Sequence, residues 1–184
     1  YVNASPLPEH RPKLPPPQTP HVYSTDELRR LVDATAVLYH CGSRLQAATY
    51  RTLMLLLYGT GLRISEAIGL ERRDVDLHEG LLQIRKTKFN KTRLIPLHAS
   101  TRDVFIAYAG RRDRVVPHSP SPAFLLTDHG RRLEISAVHR TFYDLSRRIG
   151  LRGPADHTGP RIHDFRHRFA VNTLIQWYRA HEDI

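Results

Sequence analysis

The chain has 184 residues, 40% of them hydrophobic, with 28 lysines and arginines against 18 aspartates and glutamates; its formal net charge is +10 and its isoelectric point is near 10.2. The single cysteine, Cys41, excludes an internal disulfide and any zinc cluster built on cysteines. The longest apolar run, Leu53–Tyr58, is too short to cross a bilayer. These values predict one globular domain, and the charge favours a polyanionic partner, with a merely basic surface as the alternative.

The amino-terminal region has two parts. Residues 1–22 hold seven of the thirteen prolines and show no apolar period, which predicts an extended linker. A helix is then predicted to begin at Ser24, because Glu27 follows at the spacing of a capping box and Leu28 opens an apolar stripe.

The middle of the chain contains the strongest helix signal. A helix is predicted over Gln46–Tyr58, buried in its second half, and Gly61 separates it from a short helix over Ile64–Ile68. After Asp76 the spacing of the apolar residues changes from the helical period to the alternation typical of strands. The remaining predicted elements are strands at Leu81–Arg85, Thr92–Leu97 and Phe124–Thr127, helices at 101–111 and 136–149 (Ser136 as N-cap, Gly150 as C-cap), and a final helix from about His163 to Tyr178.

Together these elements predict the α+β class. The domain is expected to be mostly helical, with one small three-stranded antiparallel sheet.

The lysines are unusually concentrated. Only four of the 28 basic residues are lysines, and three of them, Lys86, Lys88 and Lys91, fall within six residues of one another. A lysine ammonium can release a proton, whereas an arginine guanidinium in a protein cannot. This segment therefore predicts a proton-donating loop, with a phosphate-binding turn or chance clustering as the alternatives.

Three separated segments carry groups suited to a phosphodiester. They are TGLRISEAIGL (60–70) with Arg63, KTKFNKTRLIPLH (86–98) with Lys88, and HDFRHRFA (163–170) with His163 and Arg166. Phosphoryl transfer requires positive charge on the non-bridging oxygens, an activated nucleophile and an acid for the leaving oxygen. The arginines fit the first requirement and the lysine fits the third.

Each of these signals also has a plainer interpretation. Glu66 lies three residues after Arg63, so the two can form an ion pair on one helix, and Glu66 can at the same time orient Arg63. A histidine and an arginine three apart often form only a polar helix face. His163 and His167 also have the spacing of a zinc-binding pair, which would suit a metal-dependent hydrolase, but the intervening glutamate and an obvious carboxylate third ligand are lacking. No metal site is predicted.

The three segments together resemble the catalytic domain of tyrosine recombinases, the phage integrase family, in the branch associated with transposons and integrated elements. The resemblance runs from about residue 22 to the end of the chain. It implies that Arg63 and Arg166 are catalytic arginines, that Lys88 is the catalytic hairpin lysine, and that His163 assists proton transfer at the nucleophile or holds the phosphate. It also implies DNA contacts by Lys86, Lys91 and Arg93.

The resemblance implies a reaction without metal or other cofactor. A tyrosine would attack the phosphorus, leaving a 3′-phosphotyrosyl link and a free 5′-hydroxyl, so that DNA is cleaved and rejoined at specific sites. The implied partners are double-stranded DNA and further recombinase protomers in a synaptic complex; no membrane partner is implied. The implied location is the cytoplasm, and the nucleoid when the protein is bound to DNA. A DNA-binding module that never cuts is the alternative function.

The family pattern also sets expectations for the two ends of the chain. Residues 1–22 would link an absent amino-terminal core-binding domain to a catalytic domain over 23–184, and a start at Tyr1 without methionine suggests a fragment. The nucleophilic tyrosine of the family lies well beyond the second arginine, and Tyr178 is the one tyrosine after Arg166. Tyr178 is expected to pack rather than attack, so no nucleophile is predicted in this chain. Arg168 replaces a small hydroxyl residue of the family.

Overall fold

The computed structural model describes residues 19–41, 43–85, 92–156 and 158–180. Within these residues the helices are α1 (Thr25–Ala34), α2 (Gln46–Thr60), α3 (Ile64–Gly69), α4 (Ala99–Val115), α5 (Ile135–Arg148) and α6 (Asp164–Ala180), and the strands are β1 (Val75–Asp76), β2 (Leu81–Ile84) and β3 (Arg93–Pro96). Short 3₁₀ helices span Thr35–Cys41 and Arg72–Asp74. The predicted α+β class is confirmed.

Helix α1 begins where its capping box predicts. The Ser24 hydroxyl accepts the Glu27 backbone N–H at 3.1 Å, and the Glu27 carboxylate accepts the Ser24 backbone N–H at 2.7 Å. The capping box thereby satisfies two of the backbone donors that the start of a helix leaves without partners. Leu28 and Leu31 bury the apolar stripe against the core.

Helix α2 is the central element of the core. Leu53, Leu56 and Leu57 are buried, and α1, α4 and α6 all contact this helix. The helix ends at Gly61, which takes the left-handed conformation with φ 61° and donates its N–H to the Leu57 carbonyl at 3.0 Å. Glycine adopts this conformation without the steric cost that a side chain imposes.

The sheet has three antiparallel strands in the order β1-β2-β3, with Leu82 opposite Val75 on one side and Ile95 on the other. The number of strands is as predicted, but the third strand is β1 and not Phe124–Thr127. The Phe124 N–H donates to the Leu70 carbonyl and the Leu126 N–H donates to the Tyr108 hydroxyl, both outside the sheet. Phe124, Leu125 and Leu126 are all buried, so the segment is a core-filling loop.

The later helices differ from prediction mainly at their ends. Helix α4 is longer than 101–111 at both ends, and α5 begins after Glu134, so Ser136 is not its N-cap. Gly150 lies one residue after the C-cap Ile149 and has φ 74°.

Helix α6 packs on α2 at its amino-terminal end and is exposed at its carboxyl-terminal end. Phe165 is buried, whereas the Tyr178 side chain is 78% exposed. The prediction that Tyr178 packs was therefore wrong, because α6 extends past the surface of the core.

Arg168, also on α6, donates to the Thr25 hydroxyl at 3.3 Å and so bridges α6 to α1. None of the helices in the described ranges is long and apolar enough to span a membrane.

Candidate active site

Arg63 lies at the amino-terminal end of α3, just after the left-handed turn at Gly61. Its backbone is extended, with φ −70° and ψ 148°, and its N–H donates to Glu66 Oε2 at 2.9 Å. The guanidinium Nη1 lies 3.4 Å from Glu66 Oε1. The Arg63 side chain remains 46% exposed, so the ion pair predicted from the sequence leaves donors of this arginine available to a ligand.

Glu66 also binds a second arginine, Arg93, for which the sequence predicts only a DNA contact. Arg93 Nη2, on β3, lies 2.9 Å from Glu66 Oε2. The Glu66 carboxylate is only 11% exposed, while the Arg93 side chain is 38% exposed. Burial of the acid between two more exposed cations fixes both guanidiniums against the body of the domain. Along β3 burial alternates, so Arg93 and Ile95 share the less exposed face, but nothing in the sequence identifies Glu66, 27 residues earlier, as the partner of Arg93.

Arg166 joins the carboxyl-terminal segment to the same region. Its Nη1 donates to the Gly61 carbonyl at 2.5 Å, across 105 residues of sequence. Gly61 lies two residues before Arg63 in the turn between α2 and α3. This turn therefore carries Arg63 and also anchors the side chain of Arg166. Sequence reasoning did not anticipate this hydrogen bond, because a backbone carbonyl carries no residue-type signal.

An open groove of ≈ 410 Å³ lies beside these groups. Arg93 and Arg166 line it together with Gly61, and α6 contributes apolar side chains that include Phe169 and Trp177. A groove with two fixed guanidiniums is suited to a phosphate anion, because each guanidinium offers a planar set of N–H donors.

His163 occupies the turn immediately before α6. The side chain is exposed, and its backbone carbonyl accepts the Arg166 N–H at 3.1 Å. Its ring centroid is 5.7 Å from that of His167. Partial desolvation lowers the pKa of the His163 imidazole below its ordinary value of 6.5, and positive charge on His167 acts in the same direction. The imidazole is therefore mostly neutral at pH 7 and able to accept a proton.

The predicted lysine loop lies outside the described residues, so the structure places neither Lys88 nor Lys86 and Lys91. The strand residues that flank this segment are described. Ile84 pairs with Arg93, which binds Glu66. Over the described ranges, no group of three His, Cys, Asp or Glu side chains could hold a metal ion.

Comparison with known proteins identifies the family. The sequence pattern of the Phage integrase family matches residues 22–176. The chain belongs to the phage integrase family.

Named relatives within the phage integrase family agree with this assignment. The chain is 43% identical over 175 residues to the putative integrase/recombinase y4rB of Sinorhizobium fredii (strain NBRC 101917 / NGR234), covering 94% of the chain and 56% of that relative. It is 30% identical over 178 residues to the tyrosine recombinase XerA of Thermococcus kodakarensis (strain ATCC BAA-918 / JCM 12380 / KOD1), covering 95% and 57%. The chain thus spans little more than half the length of these relatives.

A solved structure supports the fold. The crystal structure of XerA recombinase superposes with a TM-score of 0.68 at 22% identity, covering 86% of this chain and 52% of that one. The mostly helical domain with its small antiparallel sheet therefore has the same fold as the matched part of that structure.

Proposed function

We propose that this chain is the phosphate-activating part of a site-specific DNA recombinase that cleaves and rejoins strands through a 3′-phosphotyrosyl intermediate. The observation that carries the proposal is the linkage of three arginines from separate segments. Arg63 and Arg93 share the Glu66 carboxylate, and Arg166 binds the carbonyl of the turn that precedes Arg63. Membership of the phage integrase family and the net charge of +10 point to the same substrate, double-stranded DNA.

Each group has a proposed role in the reaction. A tyrosine oxygen forms a bond to phosphorus while the bond from phosphorus to the 5′-oxygen breaks. Arg63 and Arg166 stabilise the extra negative charge on the non-bridging oxygens. His163, neutral at pH 7, accepts the phenolic proton, and Lys88 donates a proton to the departing 5′-oxygen.

Glu66 is proposed to orient Arg63 and Arg93. The proposed DNA contacts of Lys86, Lys91 and Arg93 are to backbone phosphates. Arg93 remains suited to this role, because its side chain is 38% exposed while it is paired.

Tyr178 is a poor candidate for the nucleophile despite its exposure. It follows Arg166 by twelve residues on α6, which at 1.5 Å and 100° per residue places it ~18 Å further along the helix and about 120° around it. A phosphate held by Arg166 is therefore far from the Tyr178 hydroxyl. We propose that the nucleophile lies outside these 184 residues.

The wider organisation follows from the same family. We propose that residues 23–184 form the catalytic domain and that residues 1–22 link it to a core-binding domain. Recombination by this chemistry exchanges strands between DNA sites, so several protomers would act together in a synaptic complex. The protein would then work in the cytoplasm, on the nucleoid.

The decisive experiment is covalent capture on a nicked suicide DNA substrate. The 184-residue chain should form no adduct, whereas the full-length gene product should form one. In that product Arg166→Ala should slow adduct formation by ~10²–10³-fold, because one donor to the transition-state charge is removed. An adduct on Tyr178 would overturn the assignment of the nucleophile. DNA binding without any adduct from the full-length product would instead favour a non-catalytic DNA-binding module.

A second substrate tests the role of Lys88. Replacing the leaving 5′-oxygen with sulfur removes the need for a proton donor, because a thiolate leaves readily. Lys88→Ala should therefore cleave the oxygen substrate slowly and the sulfur substrate at close to the wild-type rate. Equal defects on both substrates would make Lys88 a phosphate-binding residue and leave the general acid elsewhere.

A further inference from the structure

The segment that leads into His163 is bound by one buried arginine. Arg152 donates from Nη1 to the Thr158 carbonyl at 3.1 Å, from Nη2 to the Gly159 carbonyl at 3.0 Å, and from Nε to the Pro160 carbonyl at 2.9 Å. Nη2 also reaches the Pro160 carbonyl at 2.7 Å. One guanidinium thus binds the carbonyls of three consecutive residues.

The setting of Arg152 is costly for a charged group. The residue is only 6% exposed, and its guanidinium lies 4.4 Å from the centroid of the Tyr143 ring on α5. It forms no ion pair within the described part of the chain. A buried charge is tolerated when its donors are satisfied, and here the satisfying groups are backbone carbonyls of residues 158–160. The shape of that segment and the burial of Arg152 therefore depend on each other.

Tyr23 binds the next carbonyl along the chain. Its hydroxyl donates to the Arg161 carbonyl at 2.9 Å, and its ring is fully buried, 5.1 Å from the ring of Phe165. Burial, reinforced by the Asp164 carboxylate, raises the pKa of the Tyr23 phenol, so the hydroxyl remains a donor at neutral pH. Asp164 in turn accepts the Arg161 N–H at 2.9 Å.

We propose that Arg152 and Tyr23 are positioning residues that set His163 and Arg166 for the reaction proposed above. Together they hold the carbonyls of the four consecutive residues 158–161, and His163 follows two residues later. The inference rests on the proposed function, since it assigns these residues a consequence for DNA cleavage. Displacement of a catalytic group by ~1 Å can cost about 100-fold in rate.

Two matched controls separate positioning from general stability. Arg112 is also 6% exposed, donates to the Phe124 carbonyl and lies over the Phe124 ring, so Arg112→Lys controls for Arg152→Lys. Tyr50 is 3% exposed and its hydroxyl bonds Thr141, so Tyr50→Phe controls for Tyr23→Phe. Each control removes a buried side-chain hydrogen bond at a different place in the fold: Arg112 also pairs with Asp113 at 3.4 Å, and the Tyr50 hydroxyl accepts its bond from Thr141.

The four variants are compared in the full-length gene product, at a temperature where each is folded. Amide hydrogen exchange over residues 158–166 reports the local structure, and single-turnover cleavage at saturating protein reports the chemistry. Arg152→Lys and Tyr23→Phe should speed exchange in that segment and slow cleavage by roughly 10-fold or more, with the protein concentration that half-saturates the DNA little changed. The controls should leave both readouts within about 2-fold of wild type, because neither control hydrogen bond involves a residue of 158–166.

Several outcomes would overturn the inference. Faster exchange with unchanged cleavage would make these hydrogen bonds structural only, and an equal loss of cleavage in the controls would make the effect one of stability. Should Arg152→Lys fail to fold, Tyr23→Phe decides alone, because it removes a single hydroxyl. Should the wild-type protein form no adduct, the proposed function fails instead, and exchange over 158–166 alone decides whether Arg152 and Tyr23 hold the segment.

Discussion

Glu66 is the residue on which the arrangement of the site depends most directly. Its carboxylate is 11% exposed and binds both Arg63 and Arg93, whose side chains are 46% and 38% exposed. It also accepts the Arg63 backbone N–H, which fixes the first turn of α3. One buried acid therefore organises two cations and a helix terminus, so its loss should affect geometry more than stability.

Replacing Glu66 with glutamine tests this role. Glu66→Gln keeps the shape but removes the charge, so the unfolding free energy should fall by only about 1 kcal/mol, because both arginines remain solvated. Cleavage by the full-length product should fall by roughly 10-fold or more as Arg63 loses its fixed orientation. Urea denaturation and adduct formation measure the two effects. The control Asp26→Asn breaks the exposed pair with Arg29 and should change neither; an equal loss of cleavage there would contradict the role of Glu66.

The His163 imidazole gives the site a dependence on pH. Desolvation lowers its pKa in the folded protein, so the unfolded state binds the proton more tightly. The stability contribution of His163 is therefore complete above the ordinary pKa of 6.5 and is lost as pH falls through that value toward the folded pKa.

Two measurements follow for His163. An NMR titration of the imidazole should give a midpoint below 6.5, and cleavage should decline at low pH as the proton acceptor becomes charged. His163→Gln should cleave slowly and lose this acid limb of the pH profile. An unchanged acid limb in His163→Gln would assign the titration to another group.

At the scale of elements, the junction of α2, α3 and α6 depends on the absence of a side chain at Gly61. A β-carbon there would lie 2.4 Å from Phe169 Cδ1, and φ is 61°. The same glycine offers its carbonyl to Arg166. The packing of α6 on α2 and the anchoring of Arg166 therefore share one residue.

A pair of glycine substitutions isolates the packing contribution. Gly150 also has positive φ, 74°, but a β-carbon there would meet nothing within 4 Å. Gly150→Ala should cost about 1–2 kcal/mol from the backbone alone, while Gly61→Ala should cost roughly 1–3 kcal/mol more, because Phe169 must move. Urea denaturation of both variants gives the difference, and equal losses would show that Phe169 moves without cost.

At the scale of the whole molecule, charge governs the encounter with DNA. The net charge is +10, but many arginines are already paired within the fold, including Arg72 with Asp113 and Arg85 with Asp74. The groups that remain available to phosphates are therefore fewer than the composition suggests, and affinity should depend on a limited set of basic residues.

Salt dependence of duplex DNA binding tests which residues belong to that set. Affinity should fall steeply with salt, and replacing both Lys86 and Lys91 with alanine should reduce the log–log slope by about two, because each lysine that neutralises a phosphate adds close to one to the slope. Arg114→Gln removes an exposed charge near the end of α4 and should leave the slope unchanged. An unaltered slope in the double lysine variant would remove these lysines from the interface.

Local sequence patterns correctly predicted those parts of the fold whose conformation is decided by residues close together in the chain. The Ser24 capping box, the α2 signal and the left-handed glycine after it depend on interactions within a few residues. Errors arose where distant partners decide. Phe124–Thr127 was predicted as a sheet strand, but its hydrogen bonds go to Leu70 and Tyr108, and Tyr178 was predicted to pack on a core that α6 extends beyond.

The sequence by itself determined the helical elements, the α+β class, the family resemblance and the pairing of Arg63 with Glu66, because spacing along one chain segment carries that information. Only the tertiary structure decided that Arg93 shares the Glu66 carboxylate, that Arg166 binds the Gly61 carbonyl, and that Arg152 and Tyr23 hold the segment before His163. Apart from Glu66, the acceptors in these interactions are backbone carbonyls, which every residue possesses. Which carbonyl is reached depends on how helices far apart in sequence pack, and that packing is a property of the whole fold.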